Sequence, residues 1–211
     1  GETFPQKAVS WRDDPEESLS DWTIEVTCES ERDVFTYHVH KYFLGAGSQR
    51  SEYFQRLFRM TTPVKELLES TSKITLQKSA TDAFPAMLDH IYTGDCKFNS
   101  ENAVAMRNLA KYFGIRTLHD SVQAFIEQDL GPKSSHIYLS EAVVYHDKRM
   151  IEKAADTCAK HFQVLSSFQI RGLTPKELVL IMNTKSFNID SKDYSEKIAD
   201  YFHNRPDVMD R

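Results

Sequence analysis

Cysteine is scarce in this 211-residue chain: Cys28, Cys96 and Cys158 stand far apart, with no Cys-x-x-Cys pair. That spacing excludes a disulfide framework, argues against a thiolate zinc site and suits a reducing compartment. Glycine and proline number only seven each, so no collagen-like or low-complexity segment is expected. Long apolar runs are missing too. The longest, residues 178–182, is a fraction of the ~20 residues that cross a bilayer. Residues 1–13 also lack the basic-then-apolar plan of a signal peptide. The expectation is an intracellular chain, cytoplasmic or nuclear, with no membrane partner. Positive charge is not in excess either: residues 1–130 hold 14 Lys and Arg against 20 Asp and Glu, and 131–211 hold 12 against 11. Phosphate-backbone binding needs a clustered cationic surplus, so no nucleic-acid partner is expected. A chain opening on Gly1 rather than methionine is expected to be a piece of a longer one.

What is present is an ordinary globular composition, 40% hydrophobic and 27% charged, long enough for one large domain or two small ones. Residues 1–19 read as a lead-in without a sustained period, partly mobile, whose Trp11 and Leu19 dock on the first domain. From Trp22, Ile24, Val26 and Cys28 alternate with Thr23, Glu25 and Thr27, the period of a half-buried strand. Residues 34–39 return as a second strand after a five-residue polar connection, which predicts a hairpin. Residues 43–58 then shift to helical spacing, broken at Gly45, Gly47 and Ser48 into two short helices. A strand at 73–76 is expected to join the sheet. Next come a helix capped by Thr81 and Asp82 and stopped at Gly94, one capped by Ser100 and ended at Gly114, and a third over 117–128.

Residues 131–135, Gly-Pro-Lys-Ser-Ser, are the strongest punctuation and coincide with the change in charge balance. A boundary is placed there, giving 20–130 as a first domain and 131–211 as a second. Beyond it only helical periods appear, over 137–145, 150–162, 175–182 and 191–202. The third opens on Thr174-Pro175-Lys176-Glu177, a capping-box spacing with proline at the first helical position. The expected fold class is a small sheet with flanking short helices, α+β, followed by an all-α domain.

Signals for catalysis are weak. Phosphate-cradling glycine loops and the Gly-x-Ser-x-Gly elbow are missing. His38 and His40 flank Val39 at strand spacing, and a metal site would recruit His90 or His119. No carboxylate or cysteine arrives at a ligand spacing, so structural histidines are expected and neither metal nor cofactor. Cys96 reads as a packing thiol rather than a nucleophile, and no catalytic residue is assigned. The competing class is a metal- or thiol-dependent enzyme built on His38, His40, His90 or Cys96. Tyr53, Phe54, Leu57 and Phe58 form a stripe that reads as core or interface, and Glu66 to Glu69 a solvated loop or helix face.

The order of several blocks carries a resemblance. Ser20-Asp21-Trp22-Thr23-Ile24-Glu25-Val26, then Tyr37-His38-Val39-His40-Lys41-Tyr42-Phe43-Leu44, then Ser51-Glu52-Tyr53-Phe54, and later Phe84 through Leu88 with Ile91-Tyr92-Thr93-Gly94, together resemble a BTB/POZ domain. The second half, from Tyr138 through Cys158, Phe162, Phe168, Leu173 and residues 178–180, resembles the BACK domain that follows it in Kelch-type adaptors. Three departures stand out: about three residues more than the family spacing between Leu44 and Tyr53, a long loop over 60–72, and Ser191-Lys192-Asp193 where BACK domains usually have Ser-Glu before the last helix. The resemblance implies a non-enzymatic module that homodimerises through its BTB domain and recruits a cullin-RING ubiquitin ligase scaffold to an unknown protein substrate. It implies a dimer interface with a charged pocket at Asp21, Trp22, His40, Lys41, Phe43 and Leu44, in which Asp21 and Lys41 either pair or stand as two solvated charges at a strand start and a helix start. It implies a cullin contact at Tyr42, Tyr53, Phe54, Val64, Lys65 and Glu66. The alternative is a BTB self-association scaffold without a cullin.

Overall fold

The structure, a computed structural model, describes residues 8–62 and 64–204. Two units divide the chain, Gly1–Gln123 and Ala124–Arg211. The division falls inside a helix, ahead of the punctuation at 131–135.

Of the lead-in, residues 1–7 lie outside the described residues. The remainder has more structure than its missing period foretold. Asp14 accepts the N–H groups of Glu16 and Glu17 at 2.9 and 3.1 Å, and with Pro15 at the first position it starts a single turn, α1 (Pro15–Ser18). Trp11 docks as expected: its indole N–H donates to Asp89 at 2.9 Å, and its ring meets Tyr37 edge-on. Leu19 does not dock; it follows the turn at φ 57° and points outward.

Strand β1 (Trp22–Cys28) is the centre of a three-stranded sheet, antiparallel to β2 (Val34–Val39). Its alternation is realised in full, with Trp22, Ile24, Val26 and Cys28 all buried. The other edge, β3 (Thr71–Leu76), pairs parallel with β1 and sets Ile74 opposite Val26. A parallel neighbour requires a long crossover. Here it contains α2 (Lys41–Gly45), α3 (Glu52–Phe58) and α4 (Lys65–Glu69). The extra residues after Leu44 form the α2–α3 loop, and the long 60–72 stretch contains α4.

Helix α5 (Lys78–Thr93) begins earlier than expected. Its N-cap is Gln77, and Thr81 lies inside the helix, buried, with its hydroxyl donating back to the Gln77 carbonyl at 3.1 Å. A threonine hydroxyl can bond backward within a helix as readily as cap one, so the residue type did not locate the start. Likewise Asn102, not Ser100, precedes α6 (Ala103–Phe113), and Asn99 accepts the N–H groups of Glu101 and Asn102. Helix α7 (Arg116–Asp129) follows.

Phe113 is the hub of the first core, contacting the rings of Tyr53, Phe54, Phe84 and Tyr112. Its carbonyl accepts from the buried Ser51 hydroxyl at 2.5 Å, which clasps the end of α6 to the start of α3. Gly114 permits that clasp. It sits at φ 64°, and a Cβ there would lie 2.8 Å from Glu52 Cβ. Gly114→Ala is therefore expected to cost about 1–2 kcal/mol for the left-handed conformation alone, read as a lowered urea midpoint.

The second unit holds α8 (Ser135–Val144), α9 (Lys148–Lys160), a 3-10 turn at Phe162–Val164, α10 (Ser167–Gly172), α11 (Pro175–Met182) and α12 (Ser191–His203). Helix α10 was not expected; a six-residue helix shows too little period to register. Small residues on the α8 and α9 faces, Ala142, Ala154, Ala155, Cys158 and Ala159, are buried and allow close approach. The Thr174–Glu177 capping box forms as its spacing predicts. The buried Tyr201 hydroxyl donates to the Leu173 carbonyl at 3.0 Å and ties α12 down.

Candidate functional site

The residues expected at the dimer interface separate into two sets. Trp22 and Leu44 are 2% and 0% exposed within the single chain. They are core residues and offer no surface to a partner; an apolar side chain beside a strand or helix start reads the same whether its own chain or another covers it. The second set converges on the first turn of α2.

There the Asp21 carboxylate accepts the backbone N–H of Lys41 at 2.7 Å. The side-chain pair with Lys41 gives way to a cap on α2, and the Lys41 ammonium instead lies 5.0 Å from the Trp22 ring centroid. His40 is engaged at every polar atom of its ring and at its backbone N–H. The N–H donates to the Tyr92 hydroxyl at 2.9 Å, and Nε2 lies 2.7 Å from the Ser18 carbonyl. A carbonyl only accepts, so Nε2 carries a proton, and Nδ1 lies 2.8 Å from the Tyr92 hydroxyl. Phe43 stacks on Tyr92 at 4.3 Å. Around this knot Leu19 is 81% and Tyr42 68% exposed.

Burial pushes the Tyr92 phenol up to about 12, against the smaller opposing pull of the His40 N–H. A raised phenol favours the folded state while neutral. That contribution is complete below the ordinary value of 10 and is lost as pH rises through about 12. Tyr92→Phe is expected to cost about 1–3 kcal/mol at neutral pH by stranding His40. It should also flatten the alkaline fall of the urea midpoint between pH 10 and 12.

The residues expected at a cullin contact also divide. Phe54 is fully buried, stacked on Phe113 at 5.6 Å, and belongs to the core. Tyr53, one residue earlier, is half-buried and donates to Glu66 Oε1 at 3.3 Å. Its phenol is pushed up to about 12 by burial and then by the Glu66 charge. Val64 caps α4 in extended conformation, and Lys65 pairs along the helix with Glu69 at 3.7 Å. Two exposed neighbours lie outside the expected contact: Leu68 on α4, 75% exposed in the segment read as a solvated face, and Tyr112, 6.2 Å from Tyr53, which the sequence reading did not single out. Tyr112 stands between Lys111 and the buried Phe113, and a single aromatic beside a core position gives no sign of which way it faces.

The BTB/POZ domain profile matches residues 15–130, more than half of the chain. The chain belongs to the BTB/POZ family. Its BTB/POZ stretch runs from the first residue of α1 to just past α7. Among relatives, Kelch-like protein 38 of Danio rerio is 23% identical over 159 residues, covering 74% of this chain and 26% of that protein. The chain thus spans about a quarter of that relative, and the aligned length exceeds the BTB/POZ stretch.

A BTB/POZ domain is an interaction module. His38 is exposed on β2, and His119 sits beside Asp120. His90 Nε2 lies 3.0 Å from the Thr117 hydroxyl, with Cys96 Sγ 4.0 Å from its Nδ1. Burial, then the Asp89 and Asp95 charges, push the Cys96 thiol up to about 11, the direction opposite to an activated thiolate. Among the described residues no group of three or more His, Cys, Asp or Glu is placed to hold a metal ion, and no helix is long and apolar enough to cross a membrane.

Proposed function

We propose that this chain is a non-enzymatic adaptor that homodimerises through its BTB/POZ unit and joins a cullin-RING ubiquitin ligase scaffold to a protein substrate. The second unit, helices α8–α12, acts in this reading as a BACK-like domain. One observation carries the self-association. Leu19 and Tyr42 are strongly exposed apolar groups flanking an α2 start held by four hydrogen bonds. Large apolar side chains left exposed beside a well-fixed helix start are the kind of groups that a two-fold interface covers. Asp21, His40, Lys41 and Phe43 hold that surface rather than forming it. The scaffold contact is assigned to Tyr53, Val64, Lys65 and Glu66, joined by Tyr112 and Leu68, while Tyr42, expected there from the sequence, is given to the two-fold interface. The likeness to a Kelch-like protein beyond the BTB/POZ stretch supports the adaptor over a self-association scaffold alone.

Multi-angle light scattering of the chain, alone and mixed with the N-terminal region of a cullin, tests this. The expected result is a dimer whose mass rises with the cullin, and a rise abolished by Val64→Ala with Glu66→Ala while the dimer persists. A dimer that gains no mass selects the scaffold reading. A monomer refutes both.

A further inference from the structure

The second unit contains a cleft that none of the roles above uses. It is an open groove lined by His136, Phe168, Gln169, Arg171 and Gly172, with a volume of about 390 Å³, room for a few side chains of a peptide. Phe168 stands at its rim, 79% exposed. A lone exposed aromatic is ordinary; this one adjoins a concavity whose polar groups are only partly spent.

Gln169 is fully committed. Its Oε1 accepts from Ser166 in the capping box, and its Nε2 donates to the Lys133 carbonyl and to His136 Nδ1, each at 3.4 Å. Since Nδ1 accepts, the neutral His136 ring carries its proton on Nε2, and no described residue receives it. Burial lowers the His136 pKa and keeps the ring neutral. Arg171 uses only Nε, which donates to the Ser167 carbonyl at 3.3 Å and lies 3.9 Å from Asp200 Oδ2. Its two terminal nitrogens have no partner among the described residues. The cleft therefore offers an aromatic face, a guanidinium fork and a neutral N–H donor. A negatively charged hydrogen-bond acceptor beside an apolar side chain complements all three, since a guanidinium fork matches a carboxylate in two parallel hydrogen bonds.

We propose that this cleft binds a short peptide segment in which an aliphatic or aromatic side chain packs on Phe168 and a nearby Asp or Glu carboxylate engages Arg171 and His136. Calling that segment the substrate rests on the adaptor reading; the binding itself does not.

The test pans phage-displayed random dodecapeptides against the full chain and titrates the recovered peptides, fluorescently labelled, by anisotropy. Acidic-apolar sequences are expected to be enriched. Phe168→Ala and Arg171→Gln should each weaken them by about tenfold or more, with helical circular dichroism unchanged. Val179→Ser, at an exposed position on α11, should leave them unaffected, and Arg171→Glu should redirect selection toward Lys-containing peptides. The proposal is overturned if selected peptides lack the acidic-apolar pairing, or bind Phe168→Ala equally well. It is also overturned if Phe168→Ala changes the mass of the unliganded chain in light scattering, which would assign this face to a second copy. Peptide binding without cullin binding would uphold the cleft and refute the adaptor; cullin binding with no peptide selected would do the reverse.

Discussion

Replacing Phe54 with alanine is expected to destabilise the first unit by about 3–5 kcal/mol, the range for deleting a buried aromatic ring. Phe54 is fully buried, and its ring stacks on Phe113 at 5.6 Å and on Phe58 at 5.8 Å. Phe58 in turn meets Trp22 edge-on at 4.9 Å, so the void would open between α3, α6 and the sheet. A loss of that size removes a large part of the ~5–15 kcal/mol that holds a typical domain. Both tryptophans, Trp11 and Trp22, lie in the first unit, so tryptophan fluorescence in urea follows that unit without interference. Tyr53→Phe is the matched control. It keeps the ring and deletes the bond to Glu66, which should cost about 0.5–1.5 kcal/mol. A loss for Phe54→Ala no greater than the control's would mean that the ring is not part of the core. The consequence for function is direct: weaker partner binding by a Phe54 variant would report unfolding, whereas the same loss in Tyr53→Phe would report contact.

Leu19→Asp combined with Tyr42→Asp is expected to convert the proposed dimer to a single chain. Both residues are at the surface of the isolated chain, so the substitutions should leave its stability within about 0.5 kcal/mol of the parent. Within an interface each would bury an unpaired carboxylate. One such charge costs about 3 kcal/mol or more, roughly a hundredfold or more in Kd. Light scattering across a dilution series reads the change. A mass that stays at two chains would place the interface elsewhere and remove Leu19 and Tyr42 from it. Lys41→Glu is the informative companion. The Lys41 ammonium faces the Trp22 ring rather than Asp21, so its reversal should act weakly unless a second chain supplies a partner.

The legibility of the chain tracks the range of the forces involved. The hairpin is readable residue by residue, because alternation at period two is imposed by one buried face of a strand and needs no knowledge of what lies against it. The stops at Gly94 and Gly114 are readable for a similar reason, since a left-handed residue ends a helix locally. Helix starts are harder to place. Thr81 and Ser100 have the side chains of caps, but Gln77 and Asn102 precede the helices. The one-turn α1 and the short α10 are too brief to show a period.

The site is less legible than the fold. Of the residues that the ordered blocks single out, His40, Lys41 and Phe43 gather at the start of α2, with His40 and Phe43 against Tyr92. What they could not say is which apolar residues face inward. Phe54 and Tyr53 are neighbours with the same apparent character, yet one is sealed in the core and the other meets Glu66. Trp22 and Leu44 are sealed as well, while Leu19, Leu68 and Phe168 are open.

By itself the sequence determined the BTB/POZ family, the order of strands and most helices, and the scarcity of catalytic signatures. Only the tertiary structure decided that Asp21 caps α2 instead of pairing with the Lys41 side chain, that His40 is tied to Ser18 and Tyr92, and that a cleft opens beside Phe168. The reason is physical. Periodicity records that a side chain is withdrawn from water, whereas its partner is set by packing between segments far apart in the chain, and burial has the same sequence signature whichever surface does the covering.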